Sequence, residues 1–203
     1  MSKMFLVSSF KDVAKRLVEC EKDLQGKTIT FIPTASIVEK VDFFVASGKK
    51  ALIKLGLIVD ELDVSTATFE EIESKILNND YIYITGGNTF FLLQELKRTG
   101  ADKLIIKAIN EGKLYVGESA GAVIVSPNIE YAKAMDSVTK APNLKDFDAL
   151  NLTQFYTVPH HTNFPFKKAV EKIIANYGDK LKLTPINNKQ AIWVNEKEIE
   201  VIN

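Results

Sequence analysis

A serine stands in a glycine-rich turn near the middle of the chain. Residues 117–121 read Gly-Glu-Ser-Ala-Gly and follow the strand-like residues 113–116. A serine between two glycines, after a strand and before a helix, is a common setting for a nucleophilic hydroxyl. The glycines permit a turn too tight for β-carbons, and the turn lifts the hydroxyl clear of the sheet. Ser119 is therefore a candidate nucleophile, and the Ala120 N–H at the helix start is a candidate donor to an oxyanion.

The chain contains only two histidines, His160 and His161, and they are adjacent. A serine hydroxyl needs a neighbouring base to be nucleophilic at neutral pH. Both histidines come after the strand-like residues 155–158, where the end of a strand can bring one of them to the serine. A zinc site is not expected, because adjacent side chains on an extended chain point apart and Cys20 is the only thiol. One of the two histidines is therefore the candidate base.

A second turn combines two glycines with an asparagine, Gly86, Gly87 and Asn88, between a strand-like and a helix-like segment. Backbone amides in such a turn can complete an oxyanion hole beside the serine. The same residues also fit a plain strand–helix turn, or a phosphate cradle at a helix N-terminus. The three residues alone leave these interpretations open.

Strand-like and helix-like segments alternate from the N-terminus to the serine. The predicted strands are residues 4–8, 28–32, 57–62, 81–85 and 113–116, and the predicted helices are residues 11–22, 38–55, 68–77, 89–97 and 103–110. Short turns marked by glycine or proline join them. This order is typical of a three-layer α/β sandwich with a largely parallel sheet. In such sheets, catalytic groups collect at the carboxyl ends of the strands.

The pattern changes after the serine segment. Residues 128–152 are polar and irregular, and we predict that they form a loop at the rim of the site. A strand at residues 155–158, a helix at 167–177 and a closing hairpin over 190–202 follow. No repeat or linker interrupts the chain, so we expect a single catalytic domain over residues 1–203.

The overall charge gives no indication of a polyanionic partner. Lysine plus arginine and aspartate plus glutamate number 26 each, so neither nucleic acid nor an anionic membrane is an expected partner. No apolar run approaches the length of a membrane span, and the first residues do not resemble a signal peptide. The single Cys20 excludes an internal disulfide and fits a reducing compartment. We therefore expect a cytoplasmic protein.

Three segments together resemble the signature segments of peptidase E, the aspartyl dipeptidase of serine peptidase family S51. They are residues 86–89 (Gly-Gly-Asn-Thr), 117–122 (Gly-Glu-Ser-Ala-Gly-Ala) and 159–163 (Pro-His-His-Thr-Asn). They occur in the same order, and the resemblance runs over nearly the whole chain. The resemblance implies a class I glutamine-amidotransferase-like α/β fold. It also implies a hydrolase of small peptides that forms an acyl-enzyme; we expect no cofactor and no metal, and a monomer or homodimer.

The resemblance assigns roles to individual residues. Ser119 matches the nucleophile, and His160 matches the base because it follows Pro159 directly. The oxyanion hole is implied to come from Gly87 and Ala120, with Asn88 as a further candidate.

The chain departs from the family pattern at the third catalytic position. Alignment of residues 186–194 with the family segment places Asn188 where the family has an acid. Asparagine can orient an imidazole but cannot stabilise its positive charge, and in trypsin-like enzymes an Asp-to-Asn change at this place costs about four orders of magnitude in turnover. Asp136, Asp146 and Asp148 lie between the serine and the histidines, so one of them is an alternative acid.

A second departure concerns the substrate. Asp-X peptidases of the family carry an arginine after the nucleophile, suited to binding the aspartate side chain. Residues 127–133 contain no arginine, and Glu130 is expected to repel a carboxylate. The predicted activity toward Asp-X dipeptides is therefore weak. Two alternatives stay open: a hydrolase of isoaspartyl or cyanophycin-like peptides, and a small-ligand-binding protein without turnover.

Overall fold

A seven-stranded sheet forms the centre of the protein. The computed structural model describes residues 2–203; Met1, which belongs to the predicted domain, lies outside the described residues. The strands are β1 (Lys3–Val7), β2 (Thr28–Ile32), β3 (Ile58–Glu61), β4 (Tyr81–Ile84), β5 (Leu114–Glu118), β6 (Tyr156–Val158), β7 (Leu183–Pro185), β8 (Ala191–Asn195) and β9 (Glu198–Ile202). The central sheet has the order β3-β2-β4-β5-β1-β8-β9, and its first five strands are parallel.

Helices cover both faces of this sheet. They are α1 (Phe10–Cys20), α2 (Phe43–Lys54), α3 (Phe69–Asn78), α4 (Thr89–Thr99), α5 (Ala101–Asn110), α6 (Ala120–Val123) and α7 (Lys167–Tyr177). Short 3-10 turns occur at Thr34–Ser36, Glu130–Ala134 and Val138–Lys140. Helix α3 begins as its sequence predicts, because the Thr68 hydroxyl accepts a hydrogen bond from the Glu71 N–H at 3.2 Å.

Successive side chains of the central strands point to opposite faces of the sheet, and each face carries its own apolar core. In β1, Met4 and Leu6 face one core, whereas Phe5 and Val7 face the other, as expected when successive side chains point to opposite faces of a sheet. Helices α1 and α2 close the second core, and α3 to α7 pack over the first. The predicted three-layer α/β fold is confirmed.

The closing hairpin is also present. Strand β8 pairs antiparallel with β1, and β9 pairs antiparallel with β8.

The carboxyl ends of β2, β4, β5 and β1 meet at one edge of the sheet, because these four neighbouring strands are parallel. That edge carries the candidate site.

The strand predicted at residues 155–158 is present as β6. It does not join the central sheet but pairs in parallel with β7 in a separate two-stranded sheet. Strand β7 has only three half-buried residues and ends in Pro185, so it lacks the alternating pattern by which strands are recognised in a sequence. The small sheet nevertheless brings the residues after Val158 to the edge of the central sheet.

Close backbone packing fixes the turn between β5 and α6. A β-carbon on Gly117 would overlap the Gly121 carbonyl oxygen, and a β-carbon on Gly121 would overlap the Ile84 carbonyl oxygen of the neighbouring strand. Neither obstacle is a movable side chain. Neither position has room for a β-carbon, so only glycine fits at both.

Gly121→Ala should lower the free energy of unfolding by about 2 to 3 kcal/mol, since backbone atoms must shift to admit the methyl group. Gly26→Ala is the matched control, because a β-carbon at Gly26 meets nothing within 4 Å and only the left-handed backbone (φ 75°) is strained. That strain costs about 1 kcal/mol. Urea denaturation of both variants measures the difference, and equal losses would contradict the packing argument.

Candidate active site

Ser119 occupies a strained turn at the carboxyl end of β5. Its backbone has φ 50° and ψ −105°, a conformation that residues with side chains seldom adopt. The Ser119 N–H donates to the Val7 carbonyl oxygen at 2.8 Å, so β1 holds the turn from the other side. The sharp turn predicted from the two glycines is thus present, and it leaves the serine side chain on the wall of a cavity.

His160 lies directly against the serine. Its Nε2 is 2.9 Å from Ser119 Oγ, and its Nδ1 is 2.9 Å from Asn188 Oδ1. An amide oxygen can only accept, so Nδ1 carries the hydrogen and Nε2 presents a lone pair to the serine hydroxyl. This is the tautomer that a general base requires. The structure therefore brings together Ser119, His160 and Asn188. These are the three residues that the family resemblance matches to its catalytic positions.

His161 does not share this position. Its backbone N–H donates to the Ile186 carbonyl oxygen at 2.9 Å, and the residue does not line the cavity that contains Ser119. His160 has a left-handed backbone with φ 64°, which separates the directions of the two side chains.

The imidazole of His160 has an apolar environment. The ring stacks on Phe166, with centroids 4.6 Å apart and planes 22° apart. Burial lowers the pKa of His160 below its ordinary value of 6.5, and the hydrogen bond to Asn188 offsets this only in part. The ring is therefore neutral at pH 7 and able to accept a proton.

None of the three loop aspartates contacts the imidazole. The Asp136 carboxylate accepts hydrogen bonds from the backbone N–H and the hydroxyl of Thr89 at the start of α4. Burial raises the pKa of Asp136 to about 6. Asp146 pairs with Lys97, and Asp148 accepts from the side chain of Asn128. The alternative that one of these aspartates supports the imidazole is therefore wrong: the side chain at Nδ1 is that of Asn188.

Two backbone amides remain available beside the serine. Within residues 2–203, neither the Gly87 N–H nor the Ala120 N–H has a hydrogen-bond partner, and both residues line the cavity. Gly87 has φ 135°, and a β-carbon there would overlap the backbone of Ala35. Only glycine can adopt this backbone conformation so close to Ala35, so the free N–H at position 87 depends on glycine.

The expected contribution of Asn88 needs a correction. Its backbone N–H donates to the Ala35 carbonyl oxygen at 2.8 Å and is not free. Its side-chain oxygen accepts from the Phe91 N–H at 3.0 Å, which makes Asn88 the N-cap of α4. Asn88 shapes the turn, and its backbone N–H is not available to an oxyanion.

Ser8 is a site residue that the sequence analysis assigned only to the end of a strand. It is buried, and its Oγ accepts from the His160 N–H at 2.9 Å and donates to the Ile186 carbonyl oxygen at 3.0 Å. One hydroxyl thus joins β1, the His160 turn and the segment that leads to Asn188. The only available signal is a polar residue at the carboxyl end of a strand that pairs with β5.

Glu118 was passed over as well. It is 4% exposed, and its two carboxylate oxygens accept from the Phe10 N–H at 2.8 Å and from the Tyr83 hydroxyl at 2.6 Å. Burial raises the pKa of Glu118 to about 7. The side chain next to the nucleophile therefore ties β5 to β4 and to the first residue of α1.

The cavity at Ser119 has a volume of about 640 Å³. The predicted rim loop does line it, through residues such as Met135 and Asp136. Within residues 2–203 no arginine lines the cavity, and Arg98 is paired with Glu95 elsewhere. Glu130 also lies outside the cavity and pairs with Lys133, so the expected repulsion of a substrate carboxylate by Glu130 has no basis in the structure.

Residues 2–203 contain no cluster of three or more histidine, cysteine, aspartate or glutamate side chains suited to a metal ion. None of their helices is both long and apolar enough to cross a membrane.

Comparison with known proteins gives a consistent picture. The model of peptidase family S51 matches residues 2–202. An uncharacterised peptidase of Listeria monocytogenes is 59% identical over 98% of this chain and 97% of its own length, and one of Pasteurella multocida is 55% identical over 97% and 95%. Peptidase E of Shigella sonnei is 33% identical over 70% of this chain and 59% of its own length.

Solved structures agree with these matches. A crystal structure of a Listeria monocytogenes protein, described provisionally as a Peptidase E, superposes with a TM-score of 0.96 and 57% identity, and covers 100% of this chain and 98% of the other. A peptidase from an acI-B1 actinobacterium has a TM-score of 0.72 at 20% identity, over 100% and 87%, which shows a shared fold.

Ser8→Ala should slow the reaction of Ser119 with a serine-directed phosphonate probe by about tenfold or more. Without the hydroxyl, the half-buried His160 N–H loses its partner and the imidazole is less firmly held against Ser119. Labelling rates followed by mass spectrometry measure the effect.

Thr30→Val is the matched control. Thr30 is buried and its hydroxyl also donates once, to the Lys75 carbonyl oxygen, and accepts once, from the Asn79 side chain. Both variants should lose about 1 to 2 kcal/mol of stability, but only Ser8→Ala should slow labelling. An equal effect on labelling would show that Ser8 acts through general stability alone.

Proposed function

Because the chain belongs to peptidase family S51 and is a peptidase of the Peptidase E type, we propose that it is a serine-type hydrolase of small peptides that acts through an acyl-enzyme. The observation that supports this proposal is the line of contacts from Ser119 Oγ to His160 Nε2 and from His160 Nδ1 to Asn188 Oδ1, at 2.9 Å each. These contacts join a nucleophile, a neutral base and a group that orients the base.

The proposed acylation begins with attack of Ser119 Oγ on the carbonyl carbon of the scissile peptide bond. As the O–C bond forms, the hydroxyl proton passes to His160 Nε2 and the carbonyl oxygen becomes an oxyanion. Collapse of this intermediate breaks the C–N bond, and the imidazolium gives its proton to the departing amine. Water then attacks the acyl-enzyme with His160 as base, which releases the acid product and restores the serine.

The oxyanion is assigned to the Gly87 and Ala120 amides. Both N–H groups are free within the described residues and line the cavity beside Ser119. Donors that are already in place need no rearrangement when charge develops on the oxygen, which is why such amides contribute strongly to acyl transfer.

Asn188 makes the proposed enzyme slow. The amide fixes the orientation of the ring but brings no negative charge to the imidazolium that forms during acylation. Burial of the ring acts in the same direction, since it lowers the pKa of His160 and so disfavours the protonated state. The neutral base is available over a wide pH range but is a weak proton acceptor.

The substrate is proposed to be a small peptide, with hydrolysis of dipeptide type. A cavity of about 640 Å³ admits a short peptide. Activity toward Asp-X dipeptides is proposed to be weak because no arginine lines the cavity among residues 2–203. A hydrolase of isoaspartyl or cyanophycin-like peptides would need more basic groups than Lys11 and Lys140, the two lysines at the cavity. A cytoplasmic location remains a prediction from the single cysteine.

A fluorophosphonate probe tests the proposed chemistry. It should label Ser119 alone, because only this serine has an imidazole against its hydroxyl together with two free amides. Ser119→Ala and His160→Ala should abolish labelling, whereas His161→Ala should slow it only modestly. Mass spectrometry of the labelled peptide locates the adduct. A folded wild-type protein that takes no label would support a binding protein without turnover, and equal loss in both histidine variants would exclude His160 as the specific base.

Asn188→Asp should speed hydrolysis of an activated ester by about ten- to a thousandfold, a partial recovery of the four orders of magnitude that a triad carboxylate supplies. The new carboxylate stabilises the imidazolium and raises the pKa of His160. Because the neutral ring is the base, the wild-type rate should rise with pH, with a midpoint below the ordinary histidine value of 6.5, and then level off. In the variant this rise should move to higher pH.

The pH profile of ester hydrolysis measures both effects. Asn187→Asp is the matched control, since the Asn187 side chain accepts from the Lys189 N–H and does not contact the imidazole. The gain should vanish when Ser119→Ala is added. A profile that is the same in Asn188→Asp and the wild type would contradict the role given to Asn188.

A further inference from the structure

An aromatic side chain stands beside the nucleophile. A β-carbon on Gly86 would lie 3.2 Å from Ser119 Cβ and 3.5 Å from the ring of Phe44, so the serine and the ring flank the same glycine. Phe44 belongs to the first turn of α2 and is half-buried at the cavity wall. Phe43, from the same turn, is 64% exposed and lines the outer part of the wall.

The sheet order places this ring and the imidazole on opposite sides of Ser119. Gly86 follows β4, whereas His160 is held by Ser8 at the end of β1. Strand β5, which carries the serine, lies between β4 and β1. The departing amine must lie on the side of His160, because it receives its proton from Nε2. The acyl part of a substrate therefore extends toward Phe44.

A carboxylate side chain has no strong partner on this wall. The acidic residues Asp12 and Glu118 line the same part of the cavity, between α1 and α2. Lys11 is the one lysine near them, and its Nζ lies 5.9 Å from the centroid of the Phe43 ring. Lys140 also lines the cavity and donates to the Val38 carbonyl oxygen. An acidic substrate group would gain little here and meet two carboxyl groups.

A cationic side chain is not favoured either. Both oxygens of Glu118 already accept hydrogen bonds, and the carboxyl group is 4% exposed. Asp12 is exposed to water and adjacent in sequence to Lys11, so its attraction for a further cation is screened. Beside these charged groups, the wall offers a ligand the apolar surfaces of the Phe43 and Phe44 rings.

We propose that the residue on the acyl side of the scissile bond carries an aromatic or large aliphatic side chain, which packs on Phe44. Such a side chain buries apolar surface against the ring without leaving a charge unpaired. The inference rests on the proposed serine peptidase function and specifies the class of its substrate.

Aminoacyl p-nitroanilides with Phe, Leu, Lys and Asp as the acyl residue test the proposal, with p-nitrophenyl acetate as a substrate that has no side chain. In the wild type, kcat/KM for Phe and Leu should exceed that for Lys and Asp by about tenfold or more. Phe44→Ala should lower kcat/KM for Phe and Leu, relative to acetate, by about ten- to a hundredfold. Phe44→Leu, which keeps an apolar contact, should lose less.

Phe69→Ala is the matched control, since Phe69 also begins a helix, is 49% exposed and does not line the cavity. It should leave all ratios unchanged. If acetate hydrolysis depends on Ser119 but the Asp or Lys anilide is preferred over the Phe anilide, this inference alone is overturned. Absence of any hydrolysis that depends on Ser119 would overturn the proposed function and the inference with it.

Discussion

The backbone contact between the Ser119 turn and the neighbouring strand controls the arrangement of the whole site. Gly121 packs on the Ile84 carbonyl oxygen, and the Ser119 N–H bonds to the Val7 carbonyl oxygen, so β4 and β1 hold the turn from both sides. These contacts impose the strained backbone of Ser119. A strain of about 1 to 3 kcal/mol persists only where the surroundings fix the conformation, and here three adjacent parallel strands do so.

Local sequence signals were sufficient to predict much of the fold and the sharp turn that carries Ser119. Glycines around a serine and the alternating strands act over a few residues, so they can be read directly. Ser8 and Glu118 could not be found in this way, because their partners His160 and Phe10 lie 152 and 108 residues away in the chain. The Asn88 amide was expected to be free for a similar reason: its acceptor, Ala35, lies in a 3-10 turn after β2 that has no sequence signature.

The choice between the two histidines illustrates the same limit. Spacing alone left both open, and the family resemblance favoured His160 because of the preceding proline. The structure places only the His160 ring on Ser119, and the cause is tertiary: β6 is carried by β7 rather than by the central sheet, and Ser8 fixes the His160 backbone. A sequence pattern can identify the segment that reaches a site but not the residue within it that faces the partner.

The polar groups around Ser119 share one electrostatic property, which is that burial favours their neutral forms. Burial lowers the pKa of His160 and raises the pKa values of Glu118 and Asp136 to about 7 and about 6, while Asn188 carries no charge at all. A carboxylate at position 188, which is half-buried, would add a charge beside the ring, at a desolvation cost that its attraction to a neutral ring offsets only in part. An amide avoids that cost and keeps the ring oriented. The arrangement therefore exchanges charge support of the imidazolium for a resting state in which the base is neutral and the group that orients it is an uncharged, hydrogen-bonded amide.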